Sequence, residues 1–185
     1  MVNASAFTTR VSSDENMMIY IHGTNHNTQH RGTGSDPEGA SRFEKLVESL
    51  CGEKDILVVA EEFSKEACEY SDVKASVCHQ GANRLQLRHI YCDPISSERT
   101  ELGIPSQAEL VERVKKELGV KIIMGKESND YYDRLAAQYH NIREKFWLTK
   151  LEPHKGENVL FICGSDHIDS FAAMLTKDGW EVETV

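Results

Sequence analysis

Histidine and glutamate residues follow three short apolar runs of this chain. Gly23-Thr-Asn-His26 comes after MMIYIH, Gly164-Ser-Asp-His167 comes after NVLFIC, and Glu61-Glu62 comes directly after ILVVA. A neutral imidazole can take a proton near neutral pH, and a neighbouring carboxylate can orient the ring and stabilise its protonated form. These residue types therefore predict acid–base chemistry of the kind that hydrolysis requires, with His26 as the candidate base.

The same side chains are also candidate metal ligands. His26, His167, Glu61 and Glu62 offer N and O atoms that suit Zn²⁺, Mn²⁺ or a similar divalent ion, with a position left for water. In the metal-free alternative, His26 is the base, His167 and Arg143 contact the oxyanion or the substrate, and the glutamates orient them. Two adjacent carboxylates in one cleft repel each other, so one of them should have a raised pKa unless a cation lies between them, and both a metal and Arg143 are candidates for that cation.

Buried strands are expected to position these residues. Continuous apolar runs of this length are typical of strands that are covered on both faces, and chemistry in such sheets gathers at the carboxyl ends of the strands. The alternation of strands and helices predicts an α/β fold, with three layers and a mainly parallel central sheet covered by helices on both faces. The predicted strands are 17–22, 55–60, 87–94, 158–163 and 180–184.

The helices are predicted from apolar spacing and from residues that start or stop a helix. Arg143 falls within a wide apolar arc, so we expect it to be partly buried beside an anionic partner. The segment 120–124 is ambiguous between strand and helix. The predicted helices are 39–51, one or two within 63–83 with Gly81 as a stop, one from Pro105-Ser106 to Gly119, 129–151, and 167–177.

The polar loop 23–38 is long enough to carry function. Its segment RGTGSDPEG (31–39) has glycines ahead of a helix, which is one way to bind phosphate, but it lacks both the Walker lysine spacing and G-x-G-x-x-G. The chain also lacks a G-x-S-x-G motif, so a serine hydrolase mechanism is unsupported. A nucleotide- or phosphate-directed enzyme remains a third hypothesis.

Composition narrows the class of protein. The 185 residues suit a single α/β domain at 17–185, preceded by a flexible, polar tail at 1–16 that lacks the apolar core of a secretion signal. The net charge of −9 argues against nucleic acid as a partner, and no run approaches the roughly 18 to 20 apolar residues of a membrane span. Five cysteines without a C-x-x-C pair indicate reduced thiols and a cytoplasmic protein, and a buried structural role is favoured for Cys163 over a reactive one.

The ordered set of motifs resembles the superfamily that groups erythromycin esterases, ChaN-like proteins, TraB/PrgY proteins and TIKI proteases. Its pattern is a Gly-x-x-His after the first strand, a Glu-Glu pair after the next, an arginine on a late helix and a second Gly-x-x-His near the C-terminus. The resemblance covers roughly residues 17–175 and implies hydrolysis, often linked to a divalent metal, without specifying a substrate. The matching positions are Gly23 to His26, Glu61-Glu62, Arg143, and Gly164 to His167. For the arginine of the pattern, Arg84, Arg88 and Arg134 are alternatives to Arg143.

Two main functional hypotheses follow. The first is a hydrolase of an ester, lactone or amide, acting on a small-molecule or peptide substrate through the two-His/two-Glu site. The alternative is a non-catalytic ligand- or metal-binding module of the same fold. Homo-oligomerisation is left open, because the amphipathic helices could cover either the sheet or a second copy. The other histidines are interpreted as structural or surface residues: His22, His30, His79, His89, His140 and His154.

Overall fold

Five parallel strands form the centre of the protein in the computed structural model, which describes residues 17–185. The tail predicted at 1–16 lies outside the described residues. The strands are arranged in the order β3-β2-β4-β1-β5, and every neighbouring pair is parallel. Their bounds are β1 (Met18–Thr24), β2 (Val58–Glu61), β3 (Arg88–Tyr91), β4 (Val159–Gly164) and β5 (Glu181–Thr184).

Eight α-helices lie within the described part of the chain. They are α1 (Pro37–Glu53), α2 (Lys65–Tyr70), α3 (Val77–Arg84), α4 (Ser96–Glu101), α5 (Gln107–Leu118), α6 (Lys126–Ala137), α7 (His140–Leu151) and α8 (Ile168–Lys177). Single 3-10 turns occur at His26–Thr28, Glu152–His154 and Ser165–His167. Among residues 17–185, no helix is both long and apolar enough to cross a membrane.

The strands separate two apolar cores, because successive side chains of a strand point to opposite faces of a sheet. One core packs the strands against α7 and α8, with Trp147 and Phe171 fully buried at its centre. The other core packs the opposite faces of the same strands against α1 and α3, through residues such as Val47 and Ala82. The predicted three-layer α/β fold, with a parallel sheet and helices on both faces, is therefore confirmed.

The order of the strands explains why the two helical layers are separate. From β1 to β3 the chain moves towards one edge of the sheet, and α1 and α3 cover one face. From β3 the chain returns through β4 to β5, and α7 and α8 cover the other face. Right-handed crossovers require this change of face when the direction reverses. A crevice at the carboxyl ends of the strands is expected at such a reversal.

The structure corrects several predicted elements. The predicted helix at 129–151 is two helices, since the amides of Gln138 and Tyr139 bond to carbonyls three residues back and tighten the chain between α6 and α7. The wide apolar arc arose from adding the faces of two helices. Strand β2 begins at Val58 rather than at 55, because Ile56 still belongs to the turn that follows α1. Gly81 lies inside α3 and does not stop it.

Two further segments differ from prediction. Helix α4 was not predicted, because it buries no residue and therefore has no apolar stripe. The ambiguous segment 120–124 forms neither a strand nor a helix. By contrast, α5 starts after Ser106 and ends at Gly119 as predicted, with Ser106 capping the amide of Glu109 and Gly119 in the left-handed conformation.

Candidate active site

The carboxyl ends of four neighbouring strands each deliver one polar residue to the same edge of the sheet. His26 follows β1, Glu62 follows β2, Asp93 follows β3 and His167 follows β4. Glu62 lies at the centre of the group: its Oε1 is 3.6 Å from His26 Nε2 and 3.5 Å from His167 Nε2. The two imidazoles thus flank one carboxylate, as the strand-end motifs predict.

The register of β1 and β4 explains how the two Gly-x-x-His segments meet. The strands are adjacent and parallel, with Gly23 paired to Cys163 and Thr24 to Gly164, so both segments leave the sheet side by side. Gly164 also allows the side chains of His26 and Glu62 to lie close to the backbone. Its amide donates to Glu62 Oε2 at 2.7 Å, and a Cβ there would lie 3.1 Å from His26 Nε2 and 3.4 Å from the same carboxylate oxygen. A larger residue at this position would displace the site side chains.

Arg143, on α7, supplies the cation that the carboxylates require. Its Nη2 donates to Glu62 Oε1 and, at 2.7 Å, to Asp93 Oδ1, which also accepts from Nε at 3.0 Å. Arg99 adds a second guanidinium, with Nη2 2.5 Å from Asp93 Oδ2. Burial alone would raise the pKa of Asp93, but the two arginines more than offset it, and its pKa is lowered. Asp93 is therefore ionised between two arginines.

Arg143 meets the expectation of partial burial beside an anionic partner. Its side chain is 17% exposed. Burial opposes its charge, but Asp93 and Glu62 raise the pKa of the guanidinium above its ordinary value. The alternative arginines lie away from this group and contact other residues: Arg84 pairs with Glu44 and Glu48, Arg88 pairs with Glu157, and Arg134 lies over the ring of Tyr131.

Gln29 fixes the orientation of His26. Gln29 is fully buried; its Nε2 donates to Glu61 Oε2 at 3.4 Å, and its Oε1 lies 2.7 Å from His26 Nδ1. The amide nitrogen of Gln29 faces Glu61, and its oxygen, which can only accept, faces His26. His26 Nδ1 must then carry the proton. The lone pair of neutral His26 is left on Nε2, on the side of Glu62.

Glu61 faces a different group of residues from its neighbour Glu62. Its Oε1 accepts from Ser76 Oγ and, at 2.8 Å, from His89 Nε2. The ring of His79 stacks on His89 with 4.5 Å between centroids, and burial, followed by the nearby His89, lowers the pKa of His79. Glu61 is thus not among the residues that converge at Glu62. Its link to His26 runs through Gln29.

His167 contacts a second carboxylate on the side away from Glu62. Its Nδ1 lies 2.8 Å from Oε1 of Glu144, which also accepts from Ser170 Oγ at 2.6 Å. Burial alone would raise the pKa of Glu144, but the hydrogen bonds from His167 and Ser170 lower it overall. The ring of His140 lies 4.0 Å from that of His167, and its pKa is lowered by burial and then by His167.

A cleft of about 600 Å³ opens beside the ionic group. Asp93 and Arg143 belong to both the cleft and the group, whereas neither His26 nor His167 lines the cleft. The remaining wall is mixed apolar and polar. It includes Tyr70, Tyr132, Tyr139, Ile104 and Arg99. A ligand held in this cleft would have one end against Arg143.

The residues proposed as metal ligands do not converge as one set. Glu61 is occupied by Ser76, His89 and Gln29, and Glu62 Oε1 already contacts the guanidinium of Arg143. A divalent ion bound to Glu62 would face that positive charge. Within residues 17–185, the group of three potential ligands whose atoms all lie within 4.8 Å of one another is His140, Glu144 and His167.

Three residues of the site were missed by the sequence analysis. Asp93 lies at the end of the predicted strand 87–94 and follows β3 in the structure, so the argument applied to Glu62 would have selected it. Gln29 and Glu144 had no comparable signal. Their roles depend on contacts with Glu61 and His167, which are far away in the chain.

The glycine-rich segment 31–39 has packing roles in the structure. A Cβ on Gly32 would lie 1.6 Å from the carbonyl oxygen of Ser71, so glycine is required there by close backbone contact. The start of α1 is capped by Asp36, whose carboxylate accepts from the amide of Gly39 at 2.9 Å. This carboxylate occupies the position at which a helix would bind phosphate.

The five cysteines are all free and buried. Cys163 is fully buried at the end of β4, and burial raises the pKa of its thiol far above the ordinary value. The prediction that Cys163 is buried is confirmed.

Comparison of the chain with models of known protein families, with curated proteins and with solved structures gives no match.

Proposed function

We propose that this protein is a hydrolase of an ester, lactone or amide, with His26 as the general base. The observation that carries the proposal is the setting of His26. Its side chain is 54% exposed, its Nδ1 is held by Gln29, and its Nε2 lies 3.6 Å from the buried carboxylate of Glu62. The imidazole is therefore accessible to water and its basic nitrogen is oriented. The motif resemblance to the erythromycin esterase group supports the same reaction class.

The proton transfers follow from this arrangement. A water molecule that attacks the substrate carbonyl gives a proton to His26 Nε2, and the imidazolium that forms is stabilised by the negative charge of Glu62. The proton then passes from Nε2 to the leaving alcohol or amine as the tetrahedral intermediate collapses. The Glu61–Gln29 contact keeps His26 Nδ1 protonated throughout, so Nε2 is the atom that accepts and releases the proton.

Arg143 is suited to stabilise the oxyanion. Its Nε and Nη2 are held by carboxylates, whereas Nη1 makes no hydrogen bond to any residue in 17–185. Arg143 also lines the cleft, so Nη1 is available to a carbonyl oxygen of a ligand bound there. A guanidinium held rigidly on two sides needs little reorganisation when charge develops, which is the property of an effective oxyanion donor. His167 is buried and does not line the cleft, so in this scheme it lies beside the Glu62 carboxylate and does not contact the substrate.

The test is hydrolysis of a panel of chromogenic esters, lactones and amides by the wild-type chain and by His26→Ala. We expect a loss of roughly 10²- to 10⁴-fold in kcat/KM, which is the usual contribution of a general base. Because His26 is largely exposed, the melting temperature should stay close to that of the wild type. His154→Ala is the matched control, since His154 contacts only Glu157 among the described ion pairs.

Two results would count against the proposal. Undiminished turnover in His26→Ala would remove the residue from the mechanism. Stabilisation of the protein by a panel compound without any turnover would instead favour the non-catalytic binding module.

A further inference from the structure

His140, Glu144 and His167 form a compact set of ligand atoms on the inner side of α7. His140 and Glu144 are four residues apart on α7 and so lie on the same face of the helix, while His167 reaches them from the turn after β4. One ligand atom from each residue lies within 4.8 Å of the other two. Ligands that share one ion with bonds of about 2.1 Å are separated by about 3 to 4 Å, so small side-chain rotations would bring the three together.

The buried carboxylate of Glu144 has no permanent cation of its own. The residue is 1% exposed, and its described partners are His167 and Ser170. The neighbouring Arg143 points to Glu62 and Asp93 instead. A buried carboxylate is stable when a cation balances it, and a metal ion is one of the groups that can do so.

The ring of His167 is also held in the way that is common for metal-binding histidines. Metal-binding histidines usually use their second ring nitrogen to contact a carboxylate or carbonyl, which fixes the ring. The two nitrogens of His167 face two different carboxylates, at 2.8 Å for Glu144 and 3.5 Å for Glu62. The ring therefore has one side for an ion and the other for an orienting carboxylate.

We propose that His140, Glu144 and His167 bind a divalent transition-metal ion, with Zn²⁺ as the best fit. Two imidazoles and one carboxylate are a ligand set that suits zinc and leaves a position for water or another ligand. The proposed ion lies on the Glu144 side of His167, whose other ring nitrogen faces Glu62. The inference is independent of the hydrolase proposal, because it concerns binding of an ion and assigns no step of the reaction to it.

The test is titration of the chelator-treated full chain with Zn²⁺ by calorimetry, with the bound metal counted by mass spectrometry. The expected result is one Zn²⁺ per chain. Loss of an outer partner of a metal ligand weakens binding by about 10- to 100-fold, so loss of a ligand itself in His140→Ala should weaken it by roughly 100-fold or more. His140 is only half-buried and starts its helix, so this variant should fold; Glu144→Gln is the second ligand variant.

His26→Ala and His154→Ala are the matched controls, and both should bind Zn²⁺ with wild-type affinity. Co²⁺ gives a second readout, since its visible absorption in the wild type should disappear in His140→Ala. The inference is overturned if the wild type takes up no stoichiometric Zn²⁺. It is also overturned if His140→Ala binds as the wild type does, or if His26→Ala loses affinity as His140→Ala does, because the ion would then lie on the Glu62 side of His167.

Discussion

The replacement of Arg143 by methionine tests whether one guanidinium stabilises the ionic group at the strand ends. The change keeps most of the apolar stem of the side chain but removes the charge. Glu62 and Asp93 would then face each other as two buried carboxylates, since their side chains are 1% and 11% exposed. Asp93 would keep Arg99, whereas Glu62 would keep only neutral donors and the two histidines.

The expected cost can be bounded from the contacts. At about 3 Å and an effective dielectric constant of ~20, each contact between Arg143 and a carboxylate is worth about 5 kcal/mol before desolvation. Burial of the ions cancels much of this attraction, and removal of one partner from a buried ion pair typically costs about 3–5 kcal/mol. We therefore expect Arg143→Met to lower the free energy of unfolding by about 3–5 kcal/mol, a large part of the roughly 5–15 kcal/mol of a typical domain.

The assay is urea unfolding followed by tryptophan fluorescence, because Trp147 is fully buried beside Arg143. Arg84→Met is the matched control: Arg84 also contacts two glutamates, but its side chain is 48% exposed, so we expect a change of less than about 1 kcal/mol. The double variant Glu62→Gln with Arg143→Met should be less destabilised than the sum of the single variants, since the unpaired charge is gone.

The pH dependence gives an independent check on the same reasoning. In Arg143→Met the buried Glu62 carboxylate, which has lost its arginine, should bind a proton more tightly than in the unfolded chain, so the cost of the substitution should shrink as the pH falls from neutrality to about 5. A cost below about 1 kcal/mol at every pH would contradict the reasoning, because it would mean that the buried carboxylates do not need this cation.

Two further predictions concern neighbours of this group. Gln29→Leu should lower kcat/KM for any hydrolysed panel compound by about 100-fold, because His26 loses the acceptor that fixes its tautomer; Gln80→Leu, outside the site, should not. The second prediction is that wild-type stability falls as the pH drops below about 4, and that Asp93→Asn shows a smaller fall. The folded pKa of Asp93 is lowered, so its stabilisation is complete above the pKa of the unfolded chain and is lost as the pH falls through the folded value. Urea unfolding between about pH 5 and pH 2 measures how steeply the free energy of unfolding falls with pH. Equal slopes in the wild type and in Asp93→Asn would contradict the prediction.

The sequence was informative where a local pattern determines a position in the fold. Each Gly-x-x-His segment follows a continuous apolar run, and parallel strands place all such ends at one edge of the sheet. This reasoning was sufficient to bring His26 and His167 to Glu62. The pairing of β1 with β4, which makes the two segments neighbours, joins residues about 140 positions apart and has no local signal.

The sequence was not informative where the outcome depends on side-chain direction. Adjacent residues of an extended strand point to opposite faces, so Glu61 and Glu62 cannot both enter one pocket, and nothing in a Glu-Glu pair tells which one does. Packing decides it: Ser76 and His89 accommodate Glu61, and Arg143 accommodates Glu62. The break between α6 and α7 was missed for a related reason, since the apolar residues of two helices were added into one arc.

His167 connects the two proposals physically, because its ring separates Glu62 from Glu144. On the Glu62 side, Arg143 already balances the negative charge, which favours acid–base chemistry by His26 over an ion at that position. On the Glu144 side, no arginine or lysine among the described residues forms an ion pair with Glu144, and His140 completes a set of metal ligands. His167→Ala should therefore impair both hydrolysis and metal binding and cannot separate them. Variants of His26 and His140 can separate them. If the distribution of charge determines where the ion binds, His26→Ala should lose turnover and keep zinc, whereas His140→Ala should lose zinc whether or not any substrate is found.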